Sequence, residues 1–278
     1  MNKVLGVIAG SGQFPFMVVK GAQEKGYKVI VCGFHEHTDS KLEDIADHFE
    51  MMPLGQFNRL IRFFRRAGAI ELCMAGAINK PQALQVRPDF RAFRLFFSLC
   101  KKGDDALFRT IIREFEREGF LMVSPSTFVP FLHCPSGILS NKQPDKDILA
   151  EIGYGWPIAT SLGRFDIGQL IVVKQQMVIA VECLEGTNAT LQRGAELGGK
   201  NCVAIKIAKP IQDERVDLPT IGLETIRLLI KYQFKCIAVS AEKTLFFDMP
   251  EALTLANKHK LCVMSLSDTD IKQIYNRL

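Results

Sequence analysis

The sequence is poor in the residues that usually betray a metal or redox protein. It has five histidines, one tryptophan and no Cys-x-x-Cys pair among eight cysteines. Cys32, Cys73, Cys100, Cys134, Cys183, Cys202, Cys236 and Cys262 are scattered, mostly in apolar stretches. They read as reduced core residues of a cytoplasmic protein rather than as a disulfide framework. His35-Glu36-His37 has the wrong spacing for one helix face and no third ligand nearby, so an exposed loop is expected there. No apolar run is long enough to cross a bilayer, and Met1-Asn2-Lys3 leads straight into a strand without a signal-peptide pattern. Repeats and low-complexity segments are missing too. A net charge of +5 over 278 residues is too small for a nucleic-acid footprint, and favours anionic ligands or surfaces instead.

What is present is an alternation of apolar strands, glycine turns and helices. Val4–Ala9 is a strand that runs into Gly10-Ser11-Gly12-Gln13-Phe14-Pro15, followed by a helix from Phe16 to Lys25 and a strand from Lys28 to Gly33. That order opens a doubly wound α/β domain, in which glycines let backbone amides approach an anion at a helix N-terminus. As a dinucleotide fingerprint it is imperfect, because Pro15 stands where the third glycine belongs and Glu36 is a weak ribose acid. Phe57–Arg66 is a helix with an apolar and a basic face. The strand Ile70–Ala75 empties into Gly76-Ala77-Ile78-Asn79-Lys80-Pro81, a loop on the ligand side of a parallel sheet. Lys80 there either meets a phosphate or is solvated.

Phe90, Phe93, Phe96 and Phe97 recur at helical spacing among Arg91 and Arg94. This is either core packing or, together with the 57–66 helix, a greasy cationic surface for an acyl chain or anionic leaflet. Asp104 and Asp105 fit the cap and first turn of a helix from Ala106 to Glu118. Pro135, Ser136, Gly137, Asn141 and Pro144 cluster at a change of composition. The expected domains are therefore 1–133 and 146–278, joined by a linker at 134–145.

The second half begins with a helix from Asp145 to about Leu162, kinked by Pro157. Strands 168–174 and 177–182 follow, turned by Gln175-Gln176, and Thr187 reads as the N-cap of a helix to Leu197. Lys206 lies within the β-branched strand 203–207, where a cation requires a partner. The chain then enters Lys209-Pro210-Ile211-Gln212-Asp213-Glu214-Arg215-Val216-Asp217-Leu218-Pro219. Two acids around an arginine in a proline-bounded loop make either an anion or metal site or a solvated ion pair. Helices at 223–232 and 250–260 and strands at 236–240, 244–247 and 261–265 complete a second α/β unit of mixed sheet.

Several pieces in fixed order carry a resemblance. They are Ile8–Pro15, Met74-Ala75-Gly76, Lys102-Gly103-Asp104-Asp105-Ala106-Leu107, Asp166-Ile167-Gly168-Gln169, Glu185-Gly186-Thr187-Asn188 and Lys209–Gly222. Together they resemble the UDP-2,3-diacylglucosamine pyrophosphatases of the LpxI type, which serve lipid A synthesis in Gram-negative bacteria. The resemblance implies a Rossmann-like N-terminal domain, a distinct C-terminal α/β domain and substrate held between them. It further implies magnesium-dependent hydrolysis of UDP-2,3-diacylglucosamine to lipid X and UMP, a homodimer, and peripheral contact with the inner membrane.

On that basis Asp213 and Asp217 are expected to bind Mg2+ and position or deprotonate water, with Lys209 and Arg215 also in the catalytic set. Gly10, Ser11, Gly12, Gln13, Gly76, Lys80, Asp104, Gln169, Thr187, Asn188 and Lys206 are expected to bind substrate. Asn188 departs from the family, which usually has aspartate there, and an amide is the poorer metal ligand. Local features alone leave a nucleotide-cofactor oxidoreductase or a non-catalytic nucleotide or lipid carrier as alternatives.

Overall fold

The computed structural model describes residues 3–78, 88–97, 104–210, 213, 215 and 218–277. The chain divides into two compact units: Met1–Phe131 with Asp213–Asp217, and Leu132–Gln212 with Leu218–Leu278.

The first unit is a parallel α/β sheet. Its elements are β1 (Val4–Ala9), α1 (Phe14–Glu24), β2 (Lys28–Phe34), β3 (His48–Met52), α2 (Phe57–Arg66), β4 (Glu71–Ala75), α3 (Phe90–Phe97), α4 (Asp104–Arg117) and β5 (Leu121–Met122). The strand order is β3-β2-β1-β4-β5, with every pairing parallel. The order reverses between β1 and β4, the place where doubly wound sheets open a crevice at the strand carboxyl ends. Pro15 falls in the first turn of α1, where its missing N–H would have had no helical partner, so the residue that spoils the dinucleotide pattern suits the helix start.

Helix α2 buries Phe57, Leu60, Ile61, Phe63 and Phe64 and leaves its arginines outside, as three-four spacing dictates. That apolar face is therefore core and offers nothing to an acyl chain. Phe90 and Phe93 of α3 do remain exposed. Arg91 ties α3 to α4 by donating to Glu114 at 2.8 Å and Glu118 at 2.6 Å, and Arg65 of α2 donates to Glu118 as well. Arg91 holds both carboxyls below the usual range.

The second unit contains β6 (Gly137–Ile138), α5 (Lys146–Arg164), β7 (Leu170–Lys174), β8 (Met177–Val181), α6 (Gly186–Gly198), β9 (Val203–Lys206) and β10 (Thr220–Ile221). It continues with α7 (Leu223–Lys231), β11 (Cys236–Ser240), β12 (Leu245–Phe246), α8 (Met249–Lys258), β13 (Cys262–Leu266) and α9 (Asp268–Arg277). Six strands form a mixed sheet in the order β6-β13-β11-β9-β7-β8. Strands β13, β11 and β9 are parallel, while β6, β7 and β8 pair antiparallel with their neighbours.

Side-chain alternation splits this sheet into two cores. Leu170, Val172, Ala204 and Val239 pack with residues of α6, α7 and α8, whereas Ile171, Val173, Ile205 and Ala238 pack with α5 and α9. The stretch 134–145 carries β6 and belongs to the second unit. Pro157 lies within α5, which continues past it. Among the described residues no helix is long and apolar enough to cross a membrane.

Strands β3, β5, β6 and β10 and helix α9 are absent from the sequence reading. Three of these strands have two residues each, too short for any period to show. In α9, only Ile271 and Ile274 are buried hydrophobics within a largely polar segment. His35 lies exposed as expected, but His37 is buried.

The β7–β8 turn shows how a buried acid fixes backbone geometry. Gln175 and Gln176 have φ of 51° and 52°, a left-handed pair that suits a two-residue hairpin but normally selects Asn or Gly. Buried Glu151 of α5 accepts from both turn amides, at 2.5 and 2.9 Å. Glu151→Ala is expected to destabilise the protein by about 2–3 kcal/mol, because two amides and a strained turn lose a charged acceptor. Urea unfolding of the variant beside wild type measures this.

Candidate active site

In the first unit, the loops leaving β1 and β4 are stitched to one another. The Gly10 N–H donates to the Ala75 carbonyl at 2.8 Å and the Ser11 N–H to that of Ala77 at 2.8 Å. The Ala77 N–H returns to the Ser11 carbonyl, and the Ser11 hydroxyl donates to the Ala77 carbonyl at 3.0 Å. The amides of Gly10 and Ser11 are thus already used within the protein. A Cβ on Gly10 would lie 2.5 Å from the Ala77 carbonyl oxygen, and one on Gly76 2.5 Å from that of Ser11. Close approach of two backbones, rather than an anion, is sufficient reason for both glycines. Gly12 has a φ of 90° with open space at its Cβ position, and Gln13 ends the turn without a side-chain cap bond. Lys80 lies outside the described residues. Asp104 opens α4, and its side chain is likewise outside the described set.

The second unit gathers polar groups where β9 ends. Lys206 is only 3% exposed. Its ammonium donates to Thr187 Oγ1 and to the Thr220 carbonyl, both at 2.8 Å. Thr187 Oγ1 in turn donates to Glu182 Oε1 at 2.8 Å. Thr187 is therefore not the expected N-cap. Helix α6 starts one residue earlier, at Gly186, and the hydroxyl serves the buried charges instead.

Asn188 Nδ2 donates to Glu224 Oε1 at 2.9 Å. An aspartate at 188 would set two carboxylates against each other, so the amide suits this neighbour. Gln169 lies beside the end of β9, where its carbonyl accepts from the Ile207 N–H at 2.8 Å. Gln169 Oε1 and Glu182 Oε2 are buried oxygens with no hydrogen-bond partner among the described residues. Lys209 forms a largely buried ion pair with Asp166 at 2.6 Å, and Ala208 N–H donates to Ser240 Oγ at 3.0 Å.

The acidic loop beyond Pro210 contributes Asp213 and Arg215 to the first unit. Arg215 grips Asp213 in a two-pronged pair, with Nε to Oδ1 at 2.9 Å and Nη2 to Oδ2 at 2.7 Å. Its backbone N–H also donates to Oδ1, and Nη1 reaches Glu116 of α4 at 2.7 Å. The guanidinium holds the Asp213 carboxyl below the usual carboxylate range, chiefly through these hydrogen bonds. The two acids in turn push the Arg215 guanidinium up. Asp217 lies outside the described residues.

A magnesium ion asks for hard oxygens. Asp213 Oδ1 takes two hydrogen bonds, but Oδ2 takes one and keeps a lone pair. Asp213 therefore fits as a one-oxygen ligand whose charge is shared with Arg215. Among the described residues there is no group of three or more His, Cys, Asp or Glu that could hold a metal unaided.

The structure thus brings Gln169, Thr187, Asn188, Lys206 and Lys209 to one end of the second sheet. It brings Gly10, Ser11 and Gly76 together at the switch point of the first, and pairs Asp213 with Arg215. Sequence reasoning missed Glu182, Asp166, Ser240, Glu116 and Glu224. Glu182 had a readable signal, an acid closing an apolar strand five residues before a threonine. Asp166 stood only as part of the Asp166–Gln169 motif, and nothing local marks Ser240, Glu116 or Glu224.

Family models for the LpxI N-terminal domain and the LpxI C-terminal domain match residues 4–132 and 135–264. The UDP-2,3-diacylglucosamine pyrophosphatase LpxI of Caulobacter vibrioides is 32% identical over 275 residues, spanning 94% of this chain and 97% of that protein. Among solved structures, the biotin carboxylase domain of a thermophilic 2-oxoglutarate carboxylase is 12% identical with a TM-score of 0.27, covering 63% of this chain and 35% of that one. N5-carboxyaminoimidazole ribonucleotide synthetase of Thermotoga maritima is 11% identical with a TM-score of 0.25, covering 66% and 42%.

Two outcomes test the geometry. Gly76→Ala must place a Cβ against backbone at a φ of 91° and is expected to cost about 3 kcal/mol, read from thermal or urea unfolding. For Asp213, the folded carboxyl titrates below its unfolded value, so its stabilisation is complete above about pH 5 and fades as pH falls through the folded value. The stability gap between wild type and Asp213→Asn should therefore be constant from about pH 5 to 7 and shrink below about pH 4. Unfolding curves across that range would show a gap independent of pH if the pair contributed nothing.

Proposed function

The chain belongs to the LpxI family, and from that premise we propose that it hydrolyses UDP-2,3-diacylglucosamine to 2,3-diacylglucosamine 1-phosphate (lipid X) and UMP in lipid A synthesis. The observation that carries this reading is the whole-length match to a protein named for that activity, spanning both family domains. In the reaction a water oxygen bonds to the phosphorus on the glucosamine side. The bridging P–O bond breaks, and UMP leaves with the bond's electrons.

Such a step needs charge neutralised on the non-bridging oxygens and a water held in line. Lys206 and Lys209 are the cations of the second unit suited to the first task. Both are substantially buried and held by hydrogen bonds, so little reorganisation is required when a phosphate arrives. In the first unit Arg215 carries a further positive charge, already engaged by Asp213 and Glu116.

Asp213, held low by Arg215, is a weak proton acceptor and suits cation binding better than general base catalysis. Asp213 and Asp217 would hold the magnesium, which when bound supplies Lewis-acid neutralisation of phosphoryl charge. The exposed rings of Phe90 and Phe93, beside an arginine-bearing helix, support peripheral contact of a cytoplasmic protein with the inner membrane. A homodimer is carried by the family resemblance alone.

Purified protein with Mg2+ and UDP-2,3-diacylglucosamine is expected to release UMP and lipid X, and a chelator to stop it. Asp213→Ala and Asp217→Ala, each folded, should lower kcat by about a hundredfold or more. Wild-type turnover in both variants ends their assignment. Tight retention of substrate by wild type without any product marks a carrier instead.

A further inference from the structure

We propose that Glu182, to which the family motifs gave no role, is a positioning residue that fixes the ammonium of Lys206 through the hydroxyl of Thr187. The proposal rests on the reading of Lys206 as a phosphate-binding cation, and adds what orients it. Glu182 directly follows β8 and Lys206 closes β9, on either side of the first residue of β7. Leu170 pairs with Lys206 across one edge and accepts the Glu182 N–H across the other. By strand alternation Glu182 and Lys206 share the face of the sheet on which α6 packs. Thr187, in the first turn of that helix, stands between them.

A hydroxyl has one proton. Thr187 spends it on Glu182 Oε1, at 2.8 Å, so at Lys206 its oxygen can only accept. The carboxylate thereby dictates the polarity of the line, and the line admits lysine only as a donor. Glu182 is 7% exposed, and its Oε2 has no hydrogen-bond partner among the described residues. A buried carboxylate so thinly satisfied is expensive to keep unless its charge is used. The use available on this face is the cation one hydroxyl away.

Other charged groups at this end of the sheet are committed elsewhere: Lys209 to Asp166, Arg193 to Glu185, and Glu224 to Asn188. The Thr220 carbonyl supplies a second fixed acceptor, at 2.8 Å. Two acceptors on two separate elements pin a side chain that otherwise has four rotatable bonds. A phosphoryl oxygen then meets an ammonium already in place, the condition for transition-state stabilisation without reorganisation.

The test uses the full chain with lysine side chains labelled in 13C, the Lys206 signal being assigned by its loss in Lys206→Arg. Wild type should show a held Lys206, with its two ε-protons resolved from each other. Thr187→Val should merge them and Thr187→Ser should keep them apart. Glu182→Ala should merge them or bring them close, while Glu182→Gln, which still accepts from the hydroxyl, should fall between. With UDP-2,3-diacylglucosamine, Thr187→Val and Glu182→Ala should lose about tenfold in kcat with KM changed far less, and Thr187→Ser should recover most of it. Resolved ε-protons in folded Thr187→Val and Glu182→Ala would overturn the proposal. A wild type that holds Lys206 but does not cleave the substrate would instead sink the proposed function and leave this inference standing.

Discussion

Burying a lysine at the end of a strand is the constraint around which the second unit is arranged. Lys206 ends β9 in the middle of a six-stranded sheet, with β11 on one side and β7 on the other. An ammonium in that position is tolerated only if its donors are met. The groups that meet them come from α6 and from the segment entering β10, so both elements are tied to the same edge. Thr187 lies in the first turn of α6 with its hydroxyl directed at two charges and not at its own helix amides. The polar end of this sheet is thus built outward from one charge.

The first unit follows a different logic at the equivalent place. Its glycine turn lies at the switch point of a doubly wound sheet, where a phosphate cradle is the ordinary expectation. Here the facing loop consumes the amides of Gly10 and Ser11, and the glycines allow the two backbones to meet. The same residues in the same spacing therefore serve a backbone-to-backbone seam. A motif specifies which conformations are permitted. What occupies the permitted space is decided by the loop 66 residues further on.

This difference explains what could be read from the sequence. Strands with strong alternation or β-branched runs, such as Val4–Ala9 and Cys236–Ser240, were legible because their period is local. So was the helix Phe57–Arg66, whose apolar and basic faces separate cleanly. Two-residue strands such as Gly137–Ile138 exist only because a partner strand is in place, and no local period encodes them. The same holds at the candidate site. Lys206 announced itself as a misplaced charge in an apolar strand, but Asp166 and Glu116 are partners set by tertiary structure. Lys209 meets Asp166 across 43 positions and Arg215 meets Glu116 across 99. Such pairs are invisible to spacing.

Within each unit the candidate cations are held singly by acceptors rather than massed together. Arg215 is matched by Asp213 and Glu116, Lys209 by Asp166, and Lys206 by a hydroxyl line that ends on Glu182. Neither unit therefore presents these cations as a bare basic patch, which would attract any polyanion indiscriminately. Under the proposed function, a phosphate reaching any one of these cations has to compete with the acceptor that already holds it. A divalent ion held at Asp213, as the proposed function has it, would give that carboxylate a second partner. Asp213 is gripped by Arg215 yet keeps one lone pair on Oδ2.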